Sequence, residues 1–196
     1  MPYAFFEQMD LVMLWGIRQY RYLSEKRVDF AQARVAITGH PRFDLLKEKK
    51  RDLYRDKVEA LNRKFGDFIL FNTNSKYSNN INGRDAVLAN YGGRVRGLEQ
   101  RLEYDDQRLA LNISLIKKIS KGLGQAVVIR PHPEESIDVY RETFADFPNV
   151  HAIYEDSALY WILAAKGVIH NHSTTGLEAA ALGRNPMAYT PLTINC

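Results

Sequence analysis

Cysteine is almost absent from this chain: there is one, Cys196, the last residue. A disulfide framework is therefore excluded, and a reducing compartment is the natural setting. Long apolar runs are missing as well. None reaches the ~18 residues that a membrane-crossing helix needs. The opening "MPYAFFEQMDLVMLWGIRQY" contains an apolar stretch, but Glu7 and Asp10 interrupt it. It also lacks a basic leader and a small-residue cleavage site, so it is not read as a signal peptide. A cytoplasmic protein is expected, with peripheral contact at the inner face of the membrane as a further expectation.

Several catalytic signatures are missing too. No G-x-G-x-x-G follows a strand, so a dinucleotide redox cofactor is not expected, and no phosphate-loop lysine motif points to nucleotide hydrolysis. No G-x-S-x-G elbow suggests an α/β-hydrolase. The charge excess is small, 27 Lys and Arg against 23 Asp and Glu, a net +4. That suits anionic ligands or an anionic membrane surface and is too mild to indicate a nucleic-acid partner.

What is present is an alternation of strands and helices. "DLVMLWG" reads as a buried strand, "IRQYRYLSEK" as a helix and "RVAIT" as a strand that ends in the turn "GHPRFD". From residue 43 to 65, Leu46, Leu53, Tyr54, Val58, Leu61 and Phe65 recur at three-, four- and seven-residue spacing. This spacing predicts one long charged helix, a connector between two lobes. Beyond it, "DFILF", "AVVIR", "NVHAI", "GVIH" and "PMAY" are strand candidates separated by helical patterns. Near-continuous Val/Ile runs of this kind predict a parallel sheet covered on both faces. The expected division is 1–40 for the tail of one lobe, 41–66 for the connector and 67–196 for most of a second lobe. Both ends look cut, and the chain is read as a piece of a longer protein.

In doubly wound sheets, ligands sit outside the carboxyl ends of the strands where strand order reverses. If the second lobe has the usual order 3-2-1-4-5, three polar loops converge there. The first is "NTNS", with Asn72, Thr73, Asn74 and Ser75. The second is "RPHPEE", where Pro131 and Pro133 stiffen the chain and hold His132 beside Arg130. The third is "HNHSTTGLE". There Ser173, Thr174 and Thr175 open a helix whose unpaired N–H groups attract phosphate, and Gly176 gives a ligand access to the backbone. Thr175 and Glu178 also match a capping box, so a plain helix cap and an anion seat both stand; one helix end can serve as both. Glu178 suits either the cap or a sugar hydroxyl. His170 and His172 share a face if their strand persists, but no further ligands accompany them, so no metal is expected. Gly39, His40 and Arg42 are placed facing an interlobe cleft or, more plainly, in a hinge turn.

The segments "VAITGHPRFDLL", "FILFNTNSKYSNN", "VVIRPHPEE" and "HNHSTTGLEAAALGRNPMAY" together resemble bacterial surface carbohydrate biosynthesis proteins, two-lobed glycosyltransferases of the GT-B type. The resemblance implies an α/β fold whose C-terminal lobe binds a nucleotide sugar. His132 with Pro133, and the cluster Ser173, Thr174 and Thr175, are similar to the cytidine-nucleotide site of sialyl- and Kdo-transferases. The expected activity is sugar transfer from a CMP-linked donor to a glycan or lipid-linked acceptor in lipopolysaccharide or capsule assembly, with no cofactor or catalytic metal. His132 and Arg130 are expected to offset charge on the leaving phosphate. The resemblance places the acceptor site and any catalytic acid or base in a half that this chain mostly lacks. A sugar-nucleotide 2-epimerase, a CDP-glycerol-type transferase and a non-catalytic scaffold subunit are the rival readings.

Overall fold

The computed structural model describes residues 9–26 and 34–192; the first eight residues and Cys196 lie outside them. The chain divides into two compact units, 1–50 and 51–196. In the first, β1 (Leu11–Leu14) pairs in parallel with β2 (Arg34–Ile37), and α1 (Ile17–Glu25) lies in the crossover that parallel pairing requires. The expectation that β1 is buried throughout is corrected. Val12 and Leu14 are buried while Leu11 and Met13 are exposed, the alternation of a strand covered on one face.

The single connector helix is also corrected. Residues 41–65 form a short helix α2 (Pro41–Asp44), a 3-10 segment (Glu48–Tyr54) and then α3 (Arg55–Phe65). Lys47, Lys50 and Arg51 stand three and four residues apart, so a continuous α-helix would stack like charges on one face. The tighter 3-10 turn is a common connector. α3 belongs to the second unit, where Phe65 packs against Trp161 and Phe68.

The second unit holds a five-stranded parallel sheet of β3 (Phe68–Asn72), β4 (Ala126–Arg130), β5 (Val150–Ala152), β6 (Gly167–His170) and β7 (Pro186–Ala188). Its order is β5-β4-β3-β6-β7, the order expected when β3 is counted first. The helices are α4 (Gly83–Tyr91), α5 (Leu98–Leu123), α6 (Asp138–Thr143), α7 (Ala158–Ala164) and α8 (Thr174–Ala181). On one face, Phe71, Val127, Ile129, Val150 and Ile169 pack under Ile116 of α5 and Tyr140 of α6. On the other, Phe68 meets Trp161 of α7 edge-on, and the ring of His151 lies beside Phe65. A fully buried aromatic of this kind contributes about 1.5–3 kcal/mol by leaving water. Among the described residues, no helix is long and apolar enough to cross a membrane.

α5 departs from a simple amphipathic helix. Its buried stripe runs Leu98, Leu102, Asp105, Arg108, Asn112, Ile116 and Ser120. The stripe is thus polar through the middle of the helix, and Asp105 and Arg108 reach the loop that leaves β3. α6 starts only at Asp138, because Glu134 and Glu135 are drawn into a turn by the neighbouring loop.

α8 crosses closely over the end of β6. A Cβ at Gly176 would stand 2.4 Å from Nε2 of His170, so this glycine makes room for an imidazole. Gly176→Ala is expected to destabilise the protein by about 1–3 kcal/mol, the usual range for overpacking. The added change His170→Ala should recover much of that loss in denaturant titration, because it removes the group the methyl strikes. A double variant no more stable than Gly176→Ala contradicts the clash.

Candidate functional site

The register of the sheet brings three expected residues into one row. Asn72 at the end of β3 stands level with Arg130 of β4 on one side and His170 of β6 on the other. The polar loops therefore leave from one edge of the sheet, at the point where strand order reverses.

The loops after β3 and β4 are fastened to each other. Ile81 N–H donates to Glu134 O, Ser136 N–H to Asn79 O, and the Asn79 side-chain amide to Ser136 O. Beneath them lies the Glu135 carboxylate, only 4% exposed. It accepts from the Thr73 hydroxyl at 3.0 Å, from His132 N–H at 2.9 Å and from the Tyr140 hydroxyl at 2.6 Å. Burial raises the pKa of Glu135 above its ordinary value, and these donors oppose the rise. Thr73 is therefore committed to Glu135 rather than presented to a ligand. Asn72 differs from Thr73: its side chain is buried, and its Nδ2 has no hydrogen-bond partner among the described residues. Asn74 alone of the three reaches an open cavity.

The His132-Pro133 step sets the imidazole. Pro133 offers no N–H, and the next one, Glu134 N–H, donates to His132 Nδ1 at 3.2 Å while His132 O accepts from Glu135 N–H. His40-Pro41 in the first unit repeats this arrangement, with Arg42 N–H on Nδ1 at 3.1 Å and Phe43 N–H on the His40 carbonyl. There Gly39 takes a positive φ of 78° and the His40 ring packs edge-on against Trp15. In both pairs Nδ1 is an acceptor, so a neutral imidazole carries its proton on Nε2. Desolvation, followed by the charge of Lys76, lowers the His132 pKa from its ordinary value. His132 is thus a neutral Nε2–H donor near pH 7.

Arg130 does not share this orientation. It is buried, its guanidinium donates to the carbonyls of Glu155 and Asp156, and it lies over the Trp161 ring at 5.6 Å. The expected role beside a leaving phosphate is corrected: Arg130 ties the β5–α7 loop to the strand end, including Asp156 at a positive φ of 59°.

The start of α8 also differs from the expected capping box. Ser173, not Thr175, is the cap, and its Oγ accepts from Thr175 N–H at 3.3 Å and from the Thr175 hydroxyl at 2.9 Å. Glu178 is buried in the helix interior and has interactions of its own, so it is not offered to a sugar. Thr174 is exposed at the helix end. His170 and His172 do not share a face, because β6 stops at His170 and His172 turns to a φ of 43°. His170 accepts from Ser173 N–H at 3.4 Å under α8, while His172 faces the cavity.

That cavity, of about 600 Å³, opens between the middle of α5 and the loops after β3, β6 and β7. Lys76, Arg101, Arg108 and His172 stand in its wall with Tyr77 and Tyr104. The cations on α5 went unnoticed in the sequence because charged residues on a helix usually face water. The signal was present as Asp105 and Arg108 in register with Leu98 and Leu102, polar residues at core positions. The Asp105 carboxylate, 0% exposed, accepts from Tyr77 N–H at 2.8 Å and Ser78 N–H at 3.0 Å and pairs with Arg108. Arg108 in turn donates to Asn74 O. Deeper in, the Asn112 amide donates to Asn171 Oδ1, and Asn171 donates to Tyr189 O, each at 2.8 Å. The walls are therefore held by hydrogen bonds between helix and loops.

No family model matches the chain, and no curated protein matches it in sequence. Among solved structures, it is similar to the wall teichoic acid polymerase TagF, at 15% identity with a TM-score of 0.52, over 92% of this chain. A TagF variant soaked for 15 minutes with CDPG gives 15% identity and a TM-score of 0.53. The chain spans 39% of the length of TagF. The beta Kdo 2,7 transferase KpsC of Thermosulfurimonas dismutans, at 16% identity over 95% of this chain and 66% of its own, superposes at a TM-score of 0.35 and is too distant to carry an argument. At these identities the likeness is one of fold: the chain has the GT-B-type α/β architecture expected from its sequence.

The buried carboxylate has a consequence for stability. Because the folded pKa of Glu135 is raised above the 4.5 of an ordinary glutamate, the folded state holds this proton more tightly than the unfolded state. Its contribution is fully present below 4.5 and is lost as pH rises through the folded pKa. Chemical unfolding followed upward from pH 4.5 should reveal this falling component in the wild type and its absence in Glu135→Gln. Equal slopes in the two proteins contradict it.

Proposed function

We propose that this chain is the donor-binding part of a transferase that assembles a bacterial surface polymer from a nucleotide-linked building block. The observation that carries this reading is the switch-point edge, where His132 Nε2–H and the Ser173–Thr174 helix end stand on loops leaving β4 and β6, the two strands that flank β3. The helix end offers N–H groups and hydroxyls to a phosphate, and His132 adds one neutral donor. His132 acts by donating to the departing phosphate, since its Nδ1 is occupied and its Nε2 carries the proton. The acceptor is a glycan or lipid-linked chain, and no metal or cofactor takes part.

A cytidine base is favoured, from the resemblance of the His-Pro and hydroxyl motifs to CMP-linked transferases. A CDP-linked polyol donor is the second reading, supported by the likeness to TagF and by the cations lining the neighbouring cavity. Calorimetric titration of CMP, CDP and UDP distinguishes them. Cytidine nucleotides should bind, and His132→Ala and Ser173→Ala should each weaken binding roughly tenfold, as for one lost hydrogen bond of about 1.5 kcal/mol. Tighter binding of CDP than CMP selects the second reading. Equal affinity for UDP overturns the cytidine preference, and no binding of any nucleotide sinks the proposal.

A further inference from the structure

The α8 helix end and His132 leave the 600 Å³ cavity unexplained. Its wall carries Lys76, Arg101, Arg108 and His172 and, among the described residues, no carboxylate. Two of these charges are already balanced: Arg108 by buried Asp105, and Lys76 by Glu134 at 3.4 Å. Arg101 is different. Its Nε is shielded from solvent without a partner, as is that of Arg108, but no side-chain hydrogen bond or ion pair offsets the charge of Arg101 among the described residues. A guanidinium partly withdrawn from water with no anion opposite is costly, and the cost falls when an oxyanion takes both prongs of the fork. Arg101 and Arg108 stand seven positions apart, two helical turns or about 10 Å, and the Arg108 guanidinium lies over the Tyr104 ring at 5.2 Å. Tyr104 is itself held by its hydroxyl on Leu192 O at 3.3 Å. The wall is thus prepared before any ligand arrives.

We propose that this cavity is a second oxyanion site, in which the Arg101 guanidinium takes a phosphate group with Lys76 and His172 flanking it. It lies on α5 and the loops after β3, β6 and β7, and His172 places it next to the α8 helix end that serves the proposed nucleotide site. The phosphate belongs either to the diphosphate of the donor or to a phosphodiester of the growing polymer. Planar bidentate recognition explains why an arginine, rather than a lysine, occupies position 101.

The test uses inorganic pyrophosphate as the probe, titrated by calorimetry at two salt concentrations. The wild type should bind it with an affinity that falls as salt rises. Arg101→Gln should weaken binding tenfold or more, and Arg101→Lys, which keeps the charge but not the fork, should lie between. Arg141→Gln, which removes an exposed arginine paired with Asp138, should leave binding unchanged. Circular dichroism of each variant establishes that it is folded. Displacement of pyrophosphate by CDP assigns the site to the donor, and displacement by a glycerol phosphate oligomer but not by CDP assigns it to the polymer. Wild-type affinity in Arg101→Gln, or no pyrophosphate binding by the wild type, overturns the proposal. Pyrophosphate binding that needs Arg101, in a protein that binds no nucleotide, would leave this site standing while the proposed function fails.

Discussion

A carboxylate removed from water must be met by donors, and the way Glu135 is met organises the edge of the sheet. Its oxygens gather a hydroxyl from the loop after β3, a backbone N–H from His132 and a phenol from α6. Desolvation of one charge is thereby offset by donors from three separate elements. The His-Pro turn is held from beneath by the same group, so the direction of the His132 imidazole depends on a residue that no ligand need touch. Pro133 contributes by deleting the N–H that would otherwise compete for the turn.

Asp105 plays the matching part on the other side of the β3 loop. It accepts two backbone N–H groups and neutralises Arg108, so α5 carries a polar stripe where most helices carry leucine. Such a stripe is costly unless each member is paired, and most of its members are. Arg101, one turn before Asp105, is a cavity-lining cation that the network does not absorb. A prepared site and an unbalanced charge thus arise from the same construction.

Much of the fold was legible in the sequence. Continuous Val/Ile runs between helical patterns predict buried parallel strands, and all five appear in the anticipated order. The row of Asn72, Arg130 and His170 follows from that order. Legibility ended where side chains choose between a ligand and the protein. Thr73, Arg130 and Glu178 all read as ligand contacts, yet each is turned inward, because a hydroxyl, guanidinium or carboxylate can satisfy a buried partner as well as a bound one. The connector failed for a different reason. Its apolar spacing was helical, but like charges and the division between two compact units break it into three pieces.

Sequence alone determined the strands, their neighbours along one edge and the residue types gathered there, because hydrophobic period and strand-helix alternation are local properties. Tertiary structure decided which of those polar groups remain available. Gly176 serves His170, Ser173 rather than Thr175 caps α8, and Arg101 faces a cavity that no stretch of sequence reveals. The physical reason is that hydrogen-bond partners and charge compensation come from residues tens of positions apart, and only the folded chain brings them within reach.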